Sequence, residues 1–256
     1  MPKYDLLIDP PVMNAAGRLG YAPDTHGPIR LASLGAFITN PVSLGRRTPA
    51  HTPQQINFPG GFLLHTGYPN PGLSEVVRRY GERWARSPVP VIVHLLVQTP
   101  AEVALAVSRL THLPGVTGIE LGLPPDSDAA SARIFAGALA EASGGELPAI
   151  LRLPLDHASA LAPALVGQEL AAISLGPPRG ALLDQQGQLV RGRVFGPALF
   201  PLALAAVHSL ASAGIAIPVI GAGGVYTPAQ AQAMRSAGAM AVQLDSVLWR
   251  GSWPAG

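Results

Sequence analysis

The sequence predicts a (β/α)8 TIM barrel formed as a single domain over residues 1–256. Eight short apolar runs recur, at 12–16, 36–40, 90–96, 118–123, 149–153, 171–175, 218–221 and 241–244. Segments of helical pattern lie between them, and such alternation builds a parallel sheet wrapped by crossover helices. The length of 256 residues suits one barrel, for which about 250 is typical.

Each element follows from local chemistry. The first two strands carry Asn14 and Asn40 at or near their ends. Residues 41–72 are rich in Pro, Gly, His and Thr and too long for a plain βα loop, so they are expected to fold over the barrel mouth. "VRRYGERWAR" (77–86) reads as the solvated face of a helix. Thr99 before Pro100, and Thr227 before Pro228, place an N-cap ahead of a proline at the first helical position. Gln230 completes a capping box, and Gly238 suits that helix's end. A second long insertion, 176–197, has "DQQG" (184–187) as a hairpin tip. The apolar run 202–225 contains His208, Pro218 and several glycines, and reads as a helix followed by a strand rather than a membrane span.

Composition excludes several chemistries. The chain has no Cys, which removes disulfides, thiolate metal sites and a cysteine nucleophile. Lys3 is the only lysine, so an internal Schiff base is excluded. His65 and His94 lack the spacing of a metal motif, and no metal is expected. Net charge is +2, and the pI of 9.3 comes from scattered arginines, which does not suggest nucleic acid. Charged residues make up 12% and hydrophobic ones 48%, which suits a large core and a subunit interface. "MPKYDLLIDPP" lacks the apolar core of a signal peptide, and a cytoplasmic protein is expected.

Strand side chains alternate between the barrel axis and the helices. With Ile119, Leu121 and Leu123 toward the helices, Glu120 faces inward. The same parity turns Asn40, His94, Arg152, Ser174 and Gln243 toward the mouth, a polar ring of the kind that forms a ligand site. Glu120 and Arg152, on neighbouring strands, also read as a buried ion pair that binds nothing. "IGAGGVYTPAQ" (220–230) is a glycine turn opening a helix, a common phosphate seat. A dinucleotide fingerprint is the weaker reading, because Tyr226 stands where its third glycine belongs.

"PPVMNAAG" (10–17), "LGAFITNPVSLGRR" (34–47), "GYPNPG" (67–72) and "GRVFGPALFPLAL" (192–204), with 217–243, resemble the dihydroorotate dehydrogenase family in its own motif order. The resemblance implies a flavin mononucleotide (FMN) barrel and an oxidoreductase of the CH–CH type. It assigns Asn14, Ala15, Gly17, Asn40, Arg152, Gly221, Ala222, Gly223, Gly224 and Ser246 to the flavin. Asn40 stands at the position of a family lysine, and Leu123 at that of the family's base. A small substrate other than dihydroorotate is therefore expected, with Glu120 meeting it and Asp126 or Ser127 as replacement base. Asp245 stands where the family has glycine, beside the phosphate. A carboxylate 4 Å away would repel that phosphate by about 4 kcal/mol at an effective dielectric of 20. Either Asp245 turns away, or it pairs with an arginine, or the phosphate no longer binds and the flavin is lost. The expected function is a divergent flavin-dependent oxidoreductase, and the alternative is a non-catalytic binding or regulatory subunit. The final helix of the barrel is expected to be missing, leaving the Trp249–Trp253 flank for a second copy or a partner subunit.

Overall fold

The computed structural model describes residues 6–27, 29–51, 54–250 and 253; Lys3 lies outside them. In chain order the elements are strands β1 (Val12–Asn14), β2 (Phe37–Ile38), β3 (Val42–Ser43), β4 (Gln54–Phe58) and β5 (Gly61–His65), and helix α1 (Leu73–Ala85). Then come β6 (Val91–Leu96), α2 (Pro100–Ser108), β7 (Val116–Gly122), α3 (Ala129–Ser143), β8 (Ala149–Pro154) and α4 (Ala158–Leu161). The last third holds β9 (Ala172–Gly176), β10 (Arg179–Leu183), β11 (Leu189–Phe195), α5 (Phe200–Ser212), β12 (Val219–Ala222), α6 (Pro228–Ser236) and β13 (Ala239–Leu244).

Eight of these strands form a parallel barrel in the order β1-β13-β12-β9-β8-β7-β6-β2, with the short β3 on the end of β6. A bridge between Met13 and Ala36 brings β1 and β2 together. Asn14 reinforces that seam: its amide donates to Ile38 O at 2.6 Å and accepts from Ile38 N at 3.0 Å. All eight apolar runs are barrel strands. Thr99 and Thr227 cap α2 and α6 ahead of Pro at the first turn, and Gln230 closes the capping box. The 202–225 run divides into α5 and β12, and among the described residues no helix is long and apolar enough to cross a membrane.

The parity of the strands makes two cores. Inside the barrel, Met13, Ile38, Ile92, Ile150, Ala172, Ile220 and Ala241 form an apolar plug. Between barrel and helices lies the larger core, with Trp84, Ile119, Leu121, Leu151, Leu153, Val207 and Met234. Two residues further along the strands from the plug, the inward positions of β6 to β9 and β13 turn polar. That switch places the site at the carboxyl ends of the strands.

The two insertions form one structure. The β4–β5 hairpin and the β10–β11 hairpin, with its tip at Asp184–Gln188, join through β5 and β11 into a four-stranded antiparallel sheet. Phe62 pairs with Phe195 and Leu64 with Arg193 across that junction. This roof supplies Arg193 to the cavities over the mouth. After β13 the chain enters a 3-10 turn, Ser246–Arg250, and Trp253 packs against the main core. The expected absence of a last helix concerns residues beyond those described.

Candidate active site

Glu120 is the centre of the site. It is 0% exposed and both its carboxylate oxygens are engaged. Oε2 accepts from His94 Nδ1 at 2.6 Å and Arg152 Nη1 at 3.3 Å. Oε1 accepts from Ser174 Oγ at 2.6 Å and Gln243 Nε2 at 2.5 Å. Four strands besides its own therefore converge on one buried carboxylate. Burial pushes Glu120 up, but Arg152, His94 and Ser174 outweigh it and hold the group below the usual carboxylate range. Burial lowers His94, and the bond to Glu120 offsets this only in part. A neutral His94 that donates through Nδ1 keeps an acceptor lone pair on Nε2.

Two glycines at strand ends make room for these groups. A Cβ on Gly122 would lie 3.1 Å from His94 Nε2, and one on Gly176 would lie 3.0 Å from Arg152 Nε. Both residues, with His94 and Arg152, line a cavity of about 310 Å³ over β6 to β9. Among the described residues only Nη1 of the Arg152 guanidinium has a protein acceptor, and its Nε is buried without one. Arg193 closes the cavity from the roof. Its guanidinium lies 3.7 Å from the centroid of the Tyr68 ring, and burial lowers its pKa. Tyr68 is held with φ at 54° in a loop organised by Asn70, which accepts from Ser43 N and Gly72 N and donates to Tyr68 O. Sequence reasoning did not find Tyr68 or Arg193; an arginine in an alternating hairpin strand carries no signal of its own.

The remaining candidates fall in several places. Asp126 and Ser127 stand on the cavity rim; Asp126 is almost fully exposed, 3.9 Å from Arg179, and Ser127 donates to Pro124 O. Gly17 and Asn40 line a second cavity of about 250 Å³, on the far side of Tyr68 and Arg193. Asn40 accepts from Gly20 N at 3.2 Å. Asn14 and Ala15 are fully buried, and Asn14 is committed to backbone groups.

Gly221, Ala222, Gly223, Gly224 and Ser246 lie buried at the ends of β12 and β13. The fit of a flavin phosphate can be judged there. A Cβ on Gly224, at φ +67°, would lie 2.4 Å from Phe200 N, and one on Gly223 would lie 3.1 Å from the Ala203 methyl. The glycines thus let the turn pack on α5. Asp245, 5% exposed, accepts from Ser246 N and, at 3.0 Å, from Ser246 Oγ. The chain's own carboxylate thus takes the two Ser246 donors at the end of β13 and competes for them with a phosphate. Arg18 lies half-buried nearby, 4.2 Å from the Phe195 ring centroid and 4.1 Å from that of Trp249. Burial pulls its pKa down to about 10, against the field of Asp245.

No family model matches the chain. Curated relatives do. The catalytic subunit of dihydroorotate dehydrogenase B (NAD(+)) from Pelobacter propionicus is 30% identical over 252 residues, 92% of this chain and 83% of the relative. The same subunit from Desulforudis audaxviator is 30% identical over 257 residues, 94% and 83% of the two chains. That of Geobacter sulfurreducens is 31% identical over 254 residues, 92% and 82%. With this kinship along nearly its whole length, and a parallel barrel under the matched residues, the chain belongs to the dihydroorotate dehydrogenase family.

Proposed function

We propose that this barrel binds a small anionic molecule in the cavity over β6 to β9, and that His94 exchanges a proton with it. The observation that carries this reading is the cation balance of the cavity. Arg152 and Arg193 stand together on it, and the one buried acid between them, Glu120, is saturated by four donors. An anion would supply the acceptors that Arg152 lacks. Glu120 is a positioning residue in this scheme: it fixes the tautomer of His94 and leaves Nε2 for the ligand. Asp126 and Ser127 would act from the rim, where Asp126 meets water.

Calorimetric titration with acetate, succinate and benzoate, each against its neutral amide, tests the reading. The carboxylates should bind and the amides should not, and Arg152→Met or Arg193→Met should weaken binding at least tenfold. Equal binding of acid and amide would refute it.

A flavin-dependent oxidoreductase of the CH–CH type is the second reading, favoured by kinship with proteins named as catalytic subunits. It requires the flavin to bind despite Asp245. Saturable quenching of FMN fluorescence by the wild-type protein would keep this reading, and reduction of the bound flavin by a substrate would separate it from the non-catalytic alternative. Phe62 and the exposed Trp249, with ring centroids 5.5 Å apart, would then offer a flank to a second copy or a partner subunit.

A further inference from the structure

The ends of the last two barrel strands hold an acid in a place built for an anion. The register pairs Ala222 of β12 with Gln243 of β13, which sets the glycine turn beside Leu244 and Asp245. Ser246 N–H opens a 3-10 turn, and Ser246 Oγ is shared with Tyr226 OH at 2.8 Å, so both turns feed one cluster of donors. Clustered N–H and O–H groups where two parallel strands end are suited to a phosphate. Here the acceptor is Asp245, which is buried and has no cation within ion-pair distance among the described residues. Arg18 balances it from further away, clasped between Phe195 and Trp249 with its Nε unpaired.

We infer that Asp245 is a built-in substitute for a ligand's anion: it occupies the seat between the ends of β12 and β13 and is the residue that turns this barrel away from phosphorylated ligands. A side chain that donates nothing and accepts two bonds does there what a phosphate oxygen would do. Removing the carboxylate leaves Ser246 N–H and Oγ–H, Tyr226 OH and the charge of Arg18 around an unfilled seat.

The inference predicts rescue by an external anion. Wild type, Asp245→Gly and Asp245→Asn are melted in inorganic phosphate and in chloride at matched ionic strength. The wild type gives the baseline shift, which includes phosphate acting as a stabilising salt and as an anion in the cavity over β6 to β9, and the variants are read against it. Asp245→Gly should melt lower than wild type in chloride, then rise by about 3–5 °C more than wild type does once phosphate is tenfold above its Kd. Asp245→Asn keeps an acceptor oxygen and should gain less. Three results would overturn the inference: a wild type that phosphate stabilises as much as the variants, folded variants indifferent to phosphate, or variants that fail to fold in phosphate as they do in chloride. A carboxylate serving only as a turn cap would give the second of these. The cavity over β6 to β9 is common to all three proteins, so the difference between variant and wild type is independent of it.

Discussion

Glu120→Gln tests the centre of the site. The change keeps shape and removes the charge. The amide oxygen can still accept from Ser174 and Gln243, so the new NH2 group must face His94 and Arg152. His94 can change tautomer and accept; Arg152 has only donors. A buried guanidinium is left without its carboxylate, and breaking such a pair costs about 3–5 kcal/mol. Retention of the two bonds on the other oxygen sets the expectation at about 3 kcal/mol, or about 6–12 °C in melting temperature for a domain of this size. Urea denaturation followed by circular dichroism, from pH 8 to pH 3.5, measures it. Glu120 is held below its unfolded value near 4.3, so its stabilisation is present above that pH and fades as pH falls further. His94 is held below its unfolded value near 6.5, so both proteins lose stability as pH falls from 6.5, when only the unfolded chain takes the proton. Glu120 is the group that raises His94, against burial, Arg152 and Arg193, and the variant must lose more in that range. The gap between the two proteins should be widest near pH 5 and narrow steadily as pH falls below 4. A gap under about 1 kcal/mol at pH 7, or one unchanged down to pH 3.5, would refute the hub.

Other consequences are as direct. Asn14→Ala strands Ile38 N–H and C=O at the β1–β2 seam and should cost about 3 kcal/mol in chemical denaturation. Gly224→Ala combines a left-handed backbone with a clash on Phe200 N, whereas Gly187→Ala, at φ +74° in open space, meets strain alone. The second should cost about 1 kcal/mol, and the first should lower the melting temperature several times as far. Gly122→Val would press on His94 Nε2, where a Cβ alone would lie at 3.1 Å, so it should weaken carboxylate binding in the calorimeter and lower the melting temperature as His94 gives way.

Strand parity made much of the site legible before any coordinates. His94, Glu120, Arg152, Ser174 and Gln243 sit at alternate positions of apolar strands, and a period of two leaves only one way for them to face. Helix starts at Thr99 and Thr227 were equally readable, because a cap is a contact between near neighbours. The β5–β11 junction was not, since nothing local in either hairpin specifies a partner 130 residues away. Asn14 was legible as a polar strand end but not as a clamp on Ile38, which depends on how closely β1 and β2 approach. The glycine turn could be read as a phosphate seat because its packing against Phe200 and Ala203 is a tertiary fact. Asp245 was visible as a misfit; that its oxygen replaces the ligand's needed the geometry of Ser246.

The shared roof sets an order on assembly. Gln54 and Asp184 meet at 3.4 Å across those 130 residues, and closing so long a loop in an open chain is entropically costly. Once the intervening βα units have docked, the same two hairpins are held side by side and the remaining cost is small. The roof therefore zips after the barrel beneath it, and Tyr68 and Arg193 reach their places at the end of folding. Amide exchange should find β5 and β11 opening before the barrel strands do, and a ligand seated below them should slow that opening first.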